Sequence, residues 1–172
     1  MIPTLTTERL VLRAPRAQDH AALAAFYASP RSSFVGGPLT PELAWRTLAQ
    51  EAGHWLLRGY GRWTVEARDG GDAPVGMVGL WFPNGFPERE IGWDLFDGAT
   101  GKGYATEAAR AARAHAYGAL GWDTAISLVA DGNDASAAVA RRLGCTRDGR
   151  FTHERYGPMD VWRHPAPAEV AP

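Results

Sequence analysis

The chain has 172 residues, a length suited to one domain with a substantial core. Its formal net charge is −1 and its 18 Lys and Arg residues are scattered, which excludes the basic stripe that drives nucleic-acid binding by counterion release. No apolar run approaches the roughly 20 residues of a membrane span, the single cysteine, Cys145, excludes an intrachain disulfide, and the first residues carry neither an apolar signal core nor a basic leader. A cytoplasmic protein with no nucleic-acid or membrane partner is expected.

Arg9 to Arg13, RLVLR, alternates polar and apolar and reads as a first strand that Pro15 ends. From Gln18 to Ala28, Ala21, Ala22, Ala25 and Phe26 recur at helical spacing, with Asp19 placed to cap or to sit in the first turn. Arg31 to Leu39 is a loop. Thr40-Pro41-Glu42 then supplies a cap, a proline at the first helical position and an acid in the first turn of a second helix running to about Leu57, whose surface borders a candidate substrate pocket. Trp63 to Ala67 and Val75 to Phe82 form an antiparallel pair around the turn Asp69-Gly70-Gly71-Asp72. After the loop PNGFP, Glu90 to Phe96 is a fourth strand.

Ala105, Ala108, Ala109, Ala112 and Ala116 share one face of a third helix, where small residues allow close approach to a sheet. Thr124 to Val129 is a buried fifth strand, and Asn133 caps a fourth helix to about Leu143 with Ala135, Val139 and Leu143 inward. Short strands follow near Thr146 to Arg150 and Asp160 to His164. The expected organisation is a single domain over 1–165 and a disordered Pro-rich tail over 166–172, with no internal repeat. The order βααβββαβαββ predicts an α/β (α+β mixed) fold with a mostly antiparallel sheet of about seven strands flanked by four helices.

The stretch from Thr100 to Ala112, TGKGYATEAARAA, stands where a strand pattern gives way to a helical one. Gly101 and Gly103 allow positive φ and close approach to the backbone, and the helix starting near Tyr104 adds the positive end of its dipole, so the loop is a candidate phosphate site. A tight strand-to-helix turn is the plain alternative. The loop is not a nucleotide-triphosphate loop, because Phe96 stands where the first glycine belongs and Lys102 is followed by Gly103. Nor is it a dinucleotide fingerprint, since Thr106 occupies the third glycine position. Lys102, the one lysine in the chain, fits a cationic contact to a phosphate as well as it fits an Arg-rich composition.

GKGYATEA, preceded by EIGWDLF and followed by NDASAAVARRLGC, resembles the GNAT superfamily of acyl-CoA N-acyltransferases, in particular the branch of the ribosomal-protein alanine N-acetyltransferases. The resemblance runs from TTERLVLRAP to DVWRH. It implies acetyl-CoA as co-substrate, the pyrophosphate held by Gly101, Lys102, Gly103, Tyr104 and Ala105 with Thr106 beside them, and the pantetheine arm paired with the strand end at Leu95 and Phe96. It also implies that the fourth and fifth strands splay apart to admit that arm. Gly98 stands where the superfamily often has Gln or Arg, leaving the contacts there to backbone amides.

Acetyl transfer to an amine needs a neutral amine and a donor for the departing thiolate. An α-amine, with pKa about 7.7 to 8.0, is partly neutral near pH 7.5, whereas a lysine amine near 10.4 is not. Glu90 is the candidate base: it begins the fourth strand, where the superfamily commonly has a glutamate, and Asp94 on the same face is placed to raise its pKa. The alternative is a solvated acid at a strand edge. Many relatives carry a tyrosine seven residues after the position of Asn133, where this chain has Ala140; the branch it resembles has a serine three residues after, here Ser136. Asn133 would bond the pantetheine and Ser136 would face the sulfur, or both are capping residues. Trp55, Trp81, Phe82, Phe86 and Tyr156 are candidates to line an acceptor pocket. The five histidines show no metal-ligand spacing, no serine-hydrolase elbow exists, and Cys145 reads as packing.

Two functions are therefore in view: direct acetyl transfer from CoA thioester to a primary amine, on a small molecule or a protein N-terminus, or a non-catalytic acyl-CoA-binding module. A protein N-terminus, an amino sugar and a small polyamine are all open as acceptors, and so is a homodimer.

Overall fold

A computed structural model describes residues 1–170. Four α-helices and eight strands follow in the order β1 (Leu5–Thr6), β2 (Leu10–Arg13), α1 (His20–Ala28), α2 (Pro41–Arg58), β3 (Arg62–Ala67), β4 (Pro74–Trp81), β5 (Glu90–Leu95), α3 (Tyr104–Gly118), β6 (Ile126–Ala130), α4 (Asp134–Arg142), β7 (Thr146–His153) and β8 (Gly157–Arg163). The strands form one sheet in the order β1-β2-β3-β4-β5-β6-β8-β7, antiparallel throughout except where β5 meets β6. This is the expected mixed, mostly antiparallel architecture with one more strand: β1 has two residues, too few to show a period. None of the described helices is long and apolar enough to cross a membrane.

The two faces of the sheet are covered by different helices because alternate residues of each strand point opposite ways. In β4, Val78 and Leu80 join the core under the alanine face of α3, while Met77 joins Leu23, Phe26, Tyr27, Ala44 and Leu48 of α1 and α2. Thr40 caps α2 through its hydroxyl, which accepts from the Leu43 amide at 3.3 Å, and Gly59 ends the helix in the left-handed region at φ 78°. In α4 the inward residues are Ala137, Val139 and Ala140, and Ala135 is exposed rather than buried as the pattern predicts. Pro167–Glu169 form a 3₁₀ turn in the tail, closed by the Ala166 amide donating to the Glu169 carboxylate, where unstructured chain was expected; residues 171 and 172 lie outside the described residues.

Asp19 does not cap α1 with its side chain. Its carboxylate is buried and accepts from Arg13 at 2.9 and 2.8 Å, from the Arg16 amide at 2.8 Å and from the Thr64 hydroxyl at 2.8 Å, which ties β2 and β3 to the start of α1. Removing it leaves the Arg13 guanidinium, also buried, with Glu66 as its one carboxylate partner beside the Ala14 carbonyl. Asp19→Ala is expected to lower the unfolding free energy by about 3–5 kcal/mol and Thr64→Val by about 1 kcal/mol, measured by urea denaturation.

Candidate active site

The sheet opens between β5 and β6. They share one parallel register pair, Glu90 with Ile126, and the Ile126 amide donates to the Arg89 carbonyl at 3.0 Å. The next rung of a parallel ladder would run from the Leu128 amide to the Ile91 carbonyl. Side chains take over both groups instead: the Leu128 amide donates to Glu90 Oε1 at 3.1 Å, and the Ser127 hydroxyl donates to the Ile91 carbonyl at 2.6 Å. Beyond this point the strands diverge. The β4 register makes Phe96, Asp94, Gly92 and Glu90 the residues bonded to β4, so the backbone groups of Trp93 and Leu95 face the opening.

Leu95 thus presents its amide there, while its carbonyl accepts from Arg31 at 2.9 Å. Phe96 does not extend this edge. Its amide donates to Val75, its carbonyl accepts from Ala99, and its ring packs 5.5 Å from Phe26 in the core. The expectation of a cofactor contact from Phe96 is corrected on that ground: all its groups are engaged internally.

The glycine loop follows. Gly98, Gly101 and Gly103 all have φ between 76° and 81°, and a side chain at Gly101 would meet nothing within 4 Å, so the backbone there is open to a ligand. The first helical bond of α3 runs from the Glu107 amide to the Gly103 carbonyl, leaving the amides of Tyr104, Ala105 and Thr106 without an intrahelical acceptor at the positive end of the helix. Arg9 holds the loop in place, donating to the Lys102 carbonyl at 2.9 Å and to Glu107 at 2.8 Å.

A groove of about 560 Å³ runs past Leu95, Gly101, Gly103, Ala105 and Thr106. Two side chains expected in it stand elsewhere. Lys102 is exposed outside the groove lining with its Nζ 5.9 Å from the Tyr104 ring, and Tyr104 is buried in the core beneath Arg9, so Tyr104 offers its backbone only. The cationic side chains lining the groove are Arg31 and Arg142, the latter donating to the Thr106 hydroxyl at 3.3 Å. Neither carries a local sequence signal, because the fold brings them from a 3₁₀ turn and from the end of α4.

A second cavity, of about 130 Å³, meets the groove at Trp93, Asp94, Asn133 and Ser136. Asn133 Oδ1 accepts from the Ser136 amide at 3.1 Å, the capping arrangement weighed above. The Ser136 hydroxyl takes no part in the cap. It accepts from the Trp93 indole N–H at 3.2 Å, so its own hydrogen is free to be donated. Ala140 is fully buried in the core and offers no hydroxyl to the groove.

Within the second cavity stand Glu90, Asp94, Arg62, Glu51 and Tyr27. Arg62 donates to Asp94 Oδ2 at 2.5 Å and to Glu51 Oε1 through both Nε and Nη2. Burial opposes its charge, but the two carboxylates outweigh that and hold its pKa well above the usual arginine value. Glu90 is 7% exposed, not a solvated edge acid. Burial pushes its pKa up to about 7; the Leu128 amide and Arg62 pull it down, and Asp94 adds only the smallest upward push, being paired with Arg62. Burial also raises the Tyr27 pKa, so its hydroxyl stays protonated. The Cys145 thiol is buried and pushed up to about 12, in keeping with packing.

Trp81, Phe86 and Tyr156 line this cavity, whereas Trp55 and Phe82 do not. Trp55 packs against Trp63 and donates to the Arg62 carbonyl, and Phe82 lies under Arg58. Trp81 is held between Arg62, 5.3 Å from its centroid, and His54, stacked at 4.6 Å. The Phe82 amide donates to His54 Nε2, which places the imidazole proton on Nδ1, facing the Tyr60 carbonyl.

A carboxyl whose pKa is about 7 when folded and 4.5 when unfolded favours the folded state most below pH 4.5, and that advantage is lost as pH rises through 7. Glu90→Gln keeps a carbonyl for the Leu128 amide but cannot ionise. The variant should match the wild type near pH 4.5 and exceed its stability above pH 7 by on the order of 1–3 kcal/mol, read from urea unfolding across pH.

The profile of the acetyltransferase (GNAT) domain family matches residues 9–146. The acetyltransferase from Agrobacterium tumefaciens str. C58 is 38% identical in sequence and superposes with a TM-score of 0.87 over 96% of this chain and 95% of that one. At 17% identity, the ribosomal-protein-S5-alanine acetyltransferase of Vibrio fischeri shares the fold at a TM-score of 0.72, covering 99% and 100% of the two chains. RimL, a ribosomal L7/L12 α-N-protein acetyltransferase solved in complex with coenzyme A, does so at 16% identity and a TM-score of 0.75, covering 94% and 97%. With the splayed strands, the glycine loop and a profile match over most of its length, the chain belongs to the GNAT acetyltransferase family.

Proposed function

We propose that the protein transfers an acetyl group directly from acetyl-CoA to a primary amine, with Glu90 as general base and Ser136 as the donor to the departing sulfur. The observation that carries this reading is the meeting of two cavities at Ser136: an anion-ready groove on one side, and a buried carboxyl with pKa about 7 on the other. The amides of Gly101, Gly103, Ala105 and Thr106, with Arg31 and Arg142 beside them, have the donor chemistry to hold a pyrophosphate, and the free backbone edge at Trp93 and Leu95 suits an amide-bearing arm. RimL's complex with coenzyme A supports a CoA site in this fold. When bound, acetyl-CoA supplies the acetyl thioester.

The remaining chemistry falls to the chain's own residues. Glu90, ionised for half its population near neutral pH, accepts a proton from the acceptor amine, so that the nitrogen lone pair is available to form the new amide bond. Ser136 donates its free hydroxyl hydrogen toward the position of the sulfur, stabilising the thiolate as the thioester bond breaks.

Glu90→Gln is expected to lower kcat/KM on a lysine-like amine by about 10²-fold and on an α-amine by less, and to remove the rise in rate centred near pH 7. An unchanged pH profile would show that another group is the base. Ser136→Ala should lower kcat by about 10- to 100-fold with acetyl-CoA affinity unchanged, followed by free-thiol release and by calorimetry. CoA binding with no turnover on a broad amine library would identify a binding module instead.

A further inference from the structure

Behind the branch point of the sheet three polar side chains are almost fully buried: Ser127 of β6, His164 just after β8 and Arg113 of α3. Arg113 makes no ion pair with a carboxylate among the described residues. Its Nη1 donates to the Leu143 carbonyl at 2.7 Å and lies 3.3 Å from His164 Nδ1. A buried guanidinium without a counter-ion is costly, so the fold is constrained to keep both acceptors in place. Burial, with Arg113 adding to it, drives the His164 pKa down to about 3, so the ring is neutral, with one nitrogen donating and the other accepting. A guanidinium can only donate, which makes Nδ1 the acceptor and puts the proton on Nε2, 2.9 Å from the Ser127 hydroxyl oxygen. Ser127 accepts there and donates its own hydrogen to the Ile91 carbonyl at 2.6 Å. Three bonds in a row thus run one way, from the Arg113 charge to β5, each polarising the next. His164 is itself anchored, its amide donating to the Ala125 carbonyl at 2.9 Å beside the start of β6.

We propose that Ser127 and His164 are positioning residues for acetyl transfer: by clamping β6 to the Ile91 carbonyl, they hold the Leu128 amide on the Glu90 carboxylate. The proposal rests on Glu90 as the general base. Beyond the Glu90–Ile126 pair, β5 and β6 are joined by two side-chain bonds, Ser127 to Ile91 and Leu128 to Glu90, made by neighbouring residues of β6. Neighbours on one strand do not move independently, so losing the first bond lets the second lengthen. An amide donor favours the ionised carboxylate, and weakening it raises the pKa of the base. The other charged and titratable side chains lining the cavity with Glu90 are Arg62, Asp94, Glu51, Tyr27, Arg155 and Tyr156. None of them is hydrogen-bonded to Ser127 or His164, and the charged group bearing on His164 is Arg113. Cutting the chain therefore leaves the surroundings of Glu90 intact except at Leu128.

The test reads the Glu90 carboxyl directly, by carbon NMR across pH, beside the profile of kcat/KM against pH. In Ser127→Ala both midpoints are expected to move from near 7 upward by about 0.5–1 pH unit. At pH 7 the rate then falls about two- to fivefold and recovers by about pH 9. Acetyl-CoA affinity stays unchanged, because Ser127 does not line the groove. His164→Leu cuts the chain one bond earlier and moves the midpoints the same way by less, so either variant serves if the other does not fold. A merely structural contribution would lower stability and leave the Glu90 carboxyl titrating as in wild type, and that result overturns the proposal. In wild type, long-range proton–nitrogen NMR should show His164 protonated on Nε2 and not titrating between about pH 5 and 9. A proton on Nδ1, or a titration in that range, overturns the proposal without any substitution. A raised Glu90 midpoint with an unmoved rate profile would support the clamp and overturn the base reading alone.

Discussion

A single broken ladder organises this molecule. Two parallel strands that pair once and then part must leave backbone donors and acceptors exposed, and a buried unpaired group is costly. Glu90 and Ser127 meet that demand at the branch point, the carboxylate accepting from the Leu128 amide and the hydroxyl donating to the Ile91 carbonyl. The same device puts a carboxylate where the sheet opens, shielded by both strands. The structural role of Glu90 and its raised pKa therefore have one origin: it is buried because it terminates the pairing. The relay continues inward, since Ser127 lies 2.9 Å from His164, whose imidazole burial drives down to about 3 and so keeps neutral. Arg113 in turn reaches the other ring nitrogen of His164, fixing the serine from behind.

Electrostatics around the opening are divided by position. The groove side collects positive character from Arg31, Arg142 and the start of α3, whereas the second cavity collects Glu51, Asp94 and Glu90 around Arg62. Asp94 borders both sides and Arg155 also lines the second cavity; the two meet beside Ser136, a neutral group. Burying so many charges is expensive unless each finds a partner. Arg62 answers for two carboxylates at once and also stacks on Trp81, so one arginine braces an α2 residue, a β5 residue and an aromatic wall together.

Much of the architecture was legible because it rests on local rules. The alanine face of α3, the Thr40-Pro41 start of α2 and the positive φ of Gly101 and Gly103 follow from helix period, capping and sterics, which act within a few residues. Glu90, Ser136 and the glycine loop were found through a motif resemblance, and all three border the connected cavities. Lys102, Tyr104 and Phe96 were assigned to the groove by the same resemblance. Adjacent residues of a strand or a turn point different ways, and here their side chains lie outside the groove.

Sequence by itself determined the main helices and strands, β1 and the tail turn aside, that the turn after β5 can free backbone amides, and which family the chain resembles, since each is written in spacing and residue type. Only the tertiary structure decided what surrounds each charge. That Glu51, Arg62 and Asp94 form one buried group, that Arg31 and Arg142 flank the loop, and that Asp19 serves Arg13 rather than a helix end depend on segments far apart in the chain. Burial and charge pairing are set by what the fold brings within a few ångströms, and no local pattern encodes that distance.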